Sequence, residues 1–249
     1  MRAYVFNDAS LSRHAGQFVW LEIDTEKGRN AAIRKKLKAN ALPTYYVLDP
    51  ASEQVALRWV GGATIPQLHK LLEDGRAAVT GGGSGGDAKL ALADRLYGES
   101  DHAGAARAYE EALATAPPDW PHYARAVESL LFSLSQTGDH EKVVTLAKEA
   151  YGGLGRSTSG LSVASSGLGS ARELPAEHPT RKEMVAYFEP IVTDLVRDRS
   201  IVAAADDRSS IYGLLADARG DAKDEEGRKK VLNEWAAFLE GEAEKAKTP

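Results

Sequence analysis

The sequence predicts a chain in two parts, an α/β unit over residues 1–79 and an all-α solenoid of about four helix pairs over residues 87–249. Three observations predict it. Over residues 17–76, short runs of β-branched and aromatic residues alternate with helical spacing. Residues 80–86 read Thr-Gly-Gly-Gly-Ser-Gly-Gly. From Asp87 onward, apolar residues recur at the 3.6-residue period of a helix. At about 150 residues per domain, the length of 249 also suggests two domains.

In chain order, Gln17-Phe18-Val19-Trp20-Leu21-Glu22-Ile23 is an almost continuous apolar run, expected to be a strand covered on both faces and closed by Asp24. Arg2 to Phe6 has strand propensity of its own. Ile33 and Leu37, at i and i+4, mark a helix over about 28–39 with Asn40 as its stop. Pro43 then opens Thr44-Tyr45-Tyr46-Val47-Leu48, whose residues suit a pleated surface, and a proline is tolerated at a strand's first position because no ladder donor is needed there. Pro50-Ala51-Ser52-Glu53 is turn chemistry, and Val55 to Val60 is a second strand, which makes a hairpin. Gly61-Gly62 breaks it. Thr64 is placed to cap a helix with Pro66 in its first turn; Ile65, Leu68, Leu71 and Leu72 form its apolar stripe, and the pattern ends near Gly75. The run 80–86 has no side chains with which to pack and reads as a flexible linker; no Lys-Ser/Thr follows it as a phosphate loop requires.

Beyond the linker, the stripes are Ala93-Leu96-Tyr97, then Ala105 to Leu113, then Val127 to Leu134, then Val143 to Tyr151. Ser100-Asp101-His102 and Gly138-Asp139-His140 mark similar turns 38 residues apart, the signature of a helical solenoid. A third mark, Gly220-Asp221-Ala222, lies 82 residues past the second, so an unmarked pair is expected between them. Its first helix falls on Ser157 to Leu174, where Gly160, Gly167 and Gly169 each weaken a helix by about 1 kcal/mol relative to Ala. Arg181 to Arg197 is the partner helix, with Pro190 inside it. The last pair carries Ile211, Leu214, Leu215 and Ala218 on one helix, and Val231, Leu232, Trp235, Phe238 and Leu239 on the other.

The composition excludes several functions. Net charge is −5, with 11 Lys/Arg against 8 Asp/Glu in residues 1–80 and 20 against 28 in the rest, so neither part reads as a nucleic-acid binder. The basic cluster Arg34-Lys35-Lys36 with Lys38 reads as a solvated helix face. No apolar run approaches the ~18 residues of a membrane span, and residues 1–16 lack the apolar stretch of a secretory signal. As written, the chain reads as cytoplasmic; an upstream segment carrying a signal would change that. The six histidines are dispersed without metal-ligand spacing, there is no Gly-x-Ser-x-Gly elbow, and cysteine is absent. Neither metal nor cofactor is expected. Asp206-Asp207, ahead of an apolar-periodic helix, reads as an N-cap rather than a catalytic dyad.

Leu42-Pro43-Thr44, followed by a strand ending in Asp49, resembles the cis-proline loop of the thioredoxin-like family, and the likeness extends over roughly residues 1–76. It implies a cis Leu42–Pro43 bond, a loop at Leu42, Pro43 and Thr44 that meets extended substrates, and a helical tail at Arg2 to Phe6. The family's Cys-x-x-Cys is missing, so no dithiol exchange is expected. The family's first strand is missing too. The resemblance therefore implies a reading frame that continues upstream of Met1 for about 25 or more residues, with an apolar strand and Trp-Cys-x-x-Cys or a degenerate form of it. Ala93, Leu96, Ala105, Tyr109, Ala112 and Pro117 resemble the packing residues of the tetratricopeptide repeat. That resemblance implies a peptide-binding groove at Leu90, Asp94 and Tyr97 in the first unit and Arg125, Glu128 and Phe132 in the second. The two together imply a non-catalytic protein-interaction module with a protein or peptide partner; the alternative is a thiol-disulfide oxidoreductase whose active site lies upstream.

Overall fold

A computed structural model describes residues 5–39, 42–81, 86–117 and 119–247 of the chain. The described chain is mostly helical, with one small antiparallel sheet. Two short 3-10 turns, Ala9–His14 and Gly28–Asn30, precede α1 (Ala31–Lys36), β1 (Thr44–Leu48), β2 (Val55–Val60) and α2 (Ile65–Thr80). Eight helices follow: α3 (Gly86–Gly98), α4 (His102–Thr115), α5 (Tyr123–Gln136), α6 (His140–Leu154), α7 (Thr158–Glu173), α8 (Pro179–Arg197), α9 (Ala205–Asp221) and α10 (Glu225–Lys247). The solenoid is thus four consecutive helix pairs, and the glycine-bearing segment from 158 to 173 is one of its helices.

The hairpin forms where the sequence places it, with Thr44 opposite Val60 and Tyr45 opposite Trp59. Side chains alternate across it. Leu57, Trp59, Tyr45 and Val47 face α2 and its Leu68, Leu71 and Leu72. Arg58 turns the other way, its guanidinium lying 5.2 Å from the Tyr97 ring of α3. The sheet is therefore held between two helices, and both approach it closely. A Cβ on Gly75 of α2 would stand 2.6 Å from a Val47 methyl, and one on Gly98 of α3 would stand 2.4 Å from a Val55 methyl. Glycine at both positions lets each helix lie directly on the strands. That packing also explains why α2 does not end near Gly75: the residue is inside the helix, which runs on to Thr80 and closes at Gly81 with φ +72°. Thr64 and Gln67 make a full capping box at its start.

Three repeat junctions share one device. Ser100, Gly138 and Lys223 each take a left-handed conformation, and the following amide donates back across the turn: Asp101 to Leu96, Asp139 to Leu134, Asp224 to Arg219, at 2.9 to 3.0 Å. Those same aspartates then cap the next helix through Gly104, Lys142 and Gly227. The last turn is thus Lys223-Asp224, three residues past the expected mark, and Gly220 and Asp221 close α9 instead. α8 continues unbroken through Pro190. In α7, Gly167 is required because a Cβ there would sit 2.5 Å from the Phe188 ring of α8.

Several expectations are corrected. Gln17 to Ile23 is not a strand: no described segment pairs with it, and a strand is made by its ladder partners as much as by its residues. Phe18 packs onto the hairpin core, while Val19 and Leu21 are 89% and 72% exposed. The helix expected over 28–39 is a 3-10 turn followed by only six α-helical residues. Thr80 and Gly86, assigned to the linker, each belong to a helix, and residues 82–85 lie outside the described residues, as do Arg2 to Tyr4. Asp206 and Asp207 do not cap α9, because Ala204 occupies that position and both acids sit in the first turn. The Leu42–Pro43 bond is cis. Arg34, Lys35, Lys36 and Lys38 are exposed, as a solvated face requires.

Besides the packing of α3 on the sheet, a buried ionic junction joins the hairpin unit to the helices that follow. Arg125 of α5 donates from Nε to Asp74 of α2 at 2.9 Å and from Nη1 to Asp94 of α3 at 2.8 Å. Tyr109 of α4 donates to Asp94 at 2.7 Å, and Lys70 and His122 lie 2.9 and 3.2 Å from Asp74. Burial acts to raise the Asp74 carboxyl, but the His122 hydrogen bond and the Arg125 charge outweigh it and hold the group at about 2. The stability Asp74 lends is therefore complete above its ordinary value of 3.8 and is lost as pH falls toward 2. Replacing Arg125 with Met strands two buried carboxylates and is expected to cost about 3 kcal/mol or more in urea unfolding at pH 7. A loss under about 1 kcal/mol would show that the junction is not what holds the two parts together.

Candidate functional site

Gly61 and Gly62, at the end of β2, lie against the start of α9. Gly61 has φ +101°, and a Cβ on Gly62 would stand 2.3 Å from that of Ala204, so this approach admits only glycine. The Gly62 amide donates to Asp207 Oδ1 at 2.8 Å, and the Gly62 carbonyl accepts the Trp59 indole N–H at 2.9 Å. The hairpin end thereby bridges from α2 to α9. Beneath the bridge, it closes a cleft of about 430 Å³ over the solenoid.

The cleft wall is built from alternate helices, as a solenoid's inner face must be. α3 contributes Tyr97, and α5 contributes Glu128, Ser129 and Phe132. α7 contributes Thr158, Leu161, Ser162, Ser165 and Ser166, and α9 contributes Asp207, Ser210, Ile211 and Leu214. Trp59, Val60 and Gln67 complete it from the hairpin side. The size falls within the ~300–1,000 Å³ typical of ligand pockets. Among the described residues, no lysine, arginine or histidine lines it.

Its two acids are both perturbed. Burial pushes Glu128 up from an ordinary 4.5 to about 7, against hydrogen bonds from the Ser159 and Ser162 hydroxyls that favour the carboxylate. Asp207 is raised as well, by burial first and by neighbouring Asp206, with the Gly62 amide opposing. The charge of Asp207 in turn adds to the rise at Glu128. The hydroxyl protons of the wall are turned inward: Ser165 donates to the Leu161 carbonyl, Ser166 to Ser162, Ser210 to Asp206 and Thr158 to Val202. What these groups offer a ligand is lone pairs.

The sequence-predicted groove residues divide between two places. Tyr97, Glu128 and Phe132 line the cleft, with Tyr97 and Phe132 in edge contact at 5.6 Å. Leu90, Asp94 and Arg125 are buried, the last two inside the ionic junction. Leu42, Pro43 and Thr44 lie at the same end of the hairpin as the bridge, with the Gly61 amide donating to the Pro43 carbonyl at 2.9 Å and Thr44 paired with Val60, but they do not line the cleft. Sequence reasoning missed Trp59, Asp207 and the serines of α7. The one signal for them was an unusual density of small hydroxyl residues on a helix that needs none for packing.

A second polar cluster also escaped it. Ser10 Oγ lies 2.8 Å from His69 Nε2, and His69 Nδ1 lies 2.8 Å from His14 Nε2, the order of a nucleophile, a base and an orienting group. Ser10 Oγ, however, is also 2.5 Å from Asp8 Oδ1. The serine has one proton and two claimants, and the Ser10 hydrogen bonds hold Asp8 below its ordinary value, as an anion that keeps that proton. The cluster therefore serves to tie the first 3-10 turn to α2. Among the described residues, no group of His, Cys, Asp and Glu is arranged to hold a metal ion, and no helix is long and apolar enough to cross a membrane. No protein-family model, no curated protein and no solved structure matches the chain.

A raised carboxyl binds its proton more tightly in the folded state, so stability falls as pH rises from 4.5 to about 7 on account of Glu128. Buried His14 and half-buried His102 are shifted down, chiefly by desolvation, and act in the opposite sense. Comparing wild type with Glu128→Gln separates the two. The variant is expected to lose a falling component of at most about 3 kcal/mol in urea-derived stability across that window, and identical pH profiles would show that Glu128 titrates normally.

Proposed function

We propose that the protein is a non-catalytic interaction module that holds an extended peptide segment in the cleft between hairpin and solenoid. The observation that carries this is the joint construction of the cleft: a wall of alternate helices with apolar and hydroxyl side chains, closed over by Trp59 and Gly62. A cleft open along a row of helices suits a chain better than a compact metabolite, and its serines and carboxylates supply acceptors for backbone amides. We read the helix pairs as tetratricopeptide-like on the strength of their shared turn, and the hairpin with α2 as thioredoxin-like on the order of its elements. A non-catalytic role fits a chain with no thiol.

The test is selection from a displayed library of random decapeptides on the purified protein, alongside Ser166→Trp and Ser165→Trp, which fill the cleft from α7. The expected result is enrichment on wild type and at least tenfold weaker binding of the enriched peptides to both variants, each confirmed as folded by circular dichroism. No enrichment, or binding indifferent to both substitutions, would overturn the reading.

A further inference from the structure

We propose that the cleft selects its peptide by a basic side chain, the ammonium of lysine or the guanidinium of arginine, received between Glu128 and Asp207 against the aromatic wall. This rests on reading the cleft as a peptide site. Charge complementarity is its foundation: two carboxylates line the cleft from α5 and α9, and no cationic side chain among the described residues lines it. Of the arginines close by, Arg125 is committed to Asp74 and Asp94, and Arg58 stands over the Tyr97 ring.

The hydroxyl geometry points the same way. Since Ser165, Ser166, Ser210 and Thr158 spend their protons on backbone carbonyls, their oxygens turn lone pairs outward, and a ligand rich in donors satisfies them where an anion or carbonyl group does not. The walls add a third element. Trp59, Tyr97 and Phe132 line the same cleft, and a cation over an aromatic face is attracted by the ring quadrupole. The methylene stem of lysine or arginine packs against Leu161, Ile211 and Leu214 while its head reaches the carboxylates. Both acids are raised chiefly by burial, and a bound ammonium or guanidinium favours their charged forms.

Two decapeptide libraries distinguish this from the reading on which it rests, one admitting all residues but cysteine and one that also lacks lysine and arginine. Enrichment from the first and none from the second is expected. An enriched peptide, measured by isothermal titration calorimetry, should lose about thirtyfold or more in affinity when its basic residue is replaced by acetyllysine or citrulline, and a similar factor on Glu128→Gln/Asp207→Asn. The modified-peptide arm uses the unaltered protein, so the proposal stays falsifiable if the double variant fails to fold. Equal enrichment from both libraries would overturn the basic-residue inference and leave the peptide reading intact. Failure of both libraries would overturn the peptide reading, and n-butylammonium, the side-chain analogue of lysine, is expected to compete with the enriched peptide, whereas no competition at any concentration would contradict the proposal.

Discussion

The contact on which the rest of the structure depends is Arg125, buried in α5 and divided between Asp74 of α2 and Asp94 of α3. A buried ion pair is a weak source of net stability, since removing charges from water costs nearly as much as their attraction returns. Its value lies in what it forbids. Any arrangement that separates α2 from α3 and α5 leaves charged groups desolvated without partners, so only one seating of the hairpin unit on the solenoid keeps all three satisfied. Tyr109, Lys70 and His122 complete the hydrogen bonding around the two carboxylates.

From that seating the cleft follows. With α2 fixed, the sheet lies between α2 and α3, and β2 runs toward α9 so that Gly62 meets Asp207 across 145 residues of sequence. The glycine pair, a mere strand breaker by local rules, is a docking surface in the folded chain. The same geometry turns Arg58 to one side of the strand, over Tyr97 and Tyr46, and Trp59 to the other, where it packs on α2 and its indole N–H donates to the Gly62 carbonyl.

Local signals were legible wherever a residue's role was decided within its own element. The hairpin, the N-cap at Thr64 and the aspartates of the first two helix-pair turns were all readable, because turn and cap chemistry act over three or four residues. α7 was readable despite its glycines, since Gly167 is there to admit Phe188, a packing reason that outweighs a propensity cost of about 1 kcal/mol. Gln17 to Ile23 failed for the converse reason: strand propensity without a neighbouring strand leaves the segment irregular. The site failed in part because its acids come from distant positions. Glu128 was picked from its place in the repeat, whereas Asp207 looked like a cap, Asp94 and Arg125 looked like groove residues, and only tertiary packing distinguishes a carboxylate in a cleft from one in a buried junction.

The central claim is that hairpin unit and solenoid form one cooperative structure. Trp59 lies in the hairpin core and Trp120 in the first repeats, where its indole donates to Asp87. Uniform labelling with 5-fluorotryptophan gives each a fluorine resonance that can be followed through urea unfolding. Loss of the native Trp59 and Trp120 signals at one shared midpoint is the predicted result; a Trp59 signal that disappears at lower urea, while Trp120 remains native, would contradict the account.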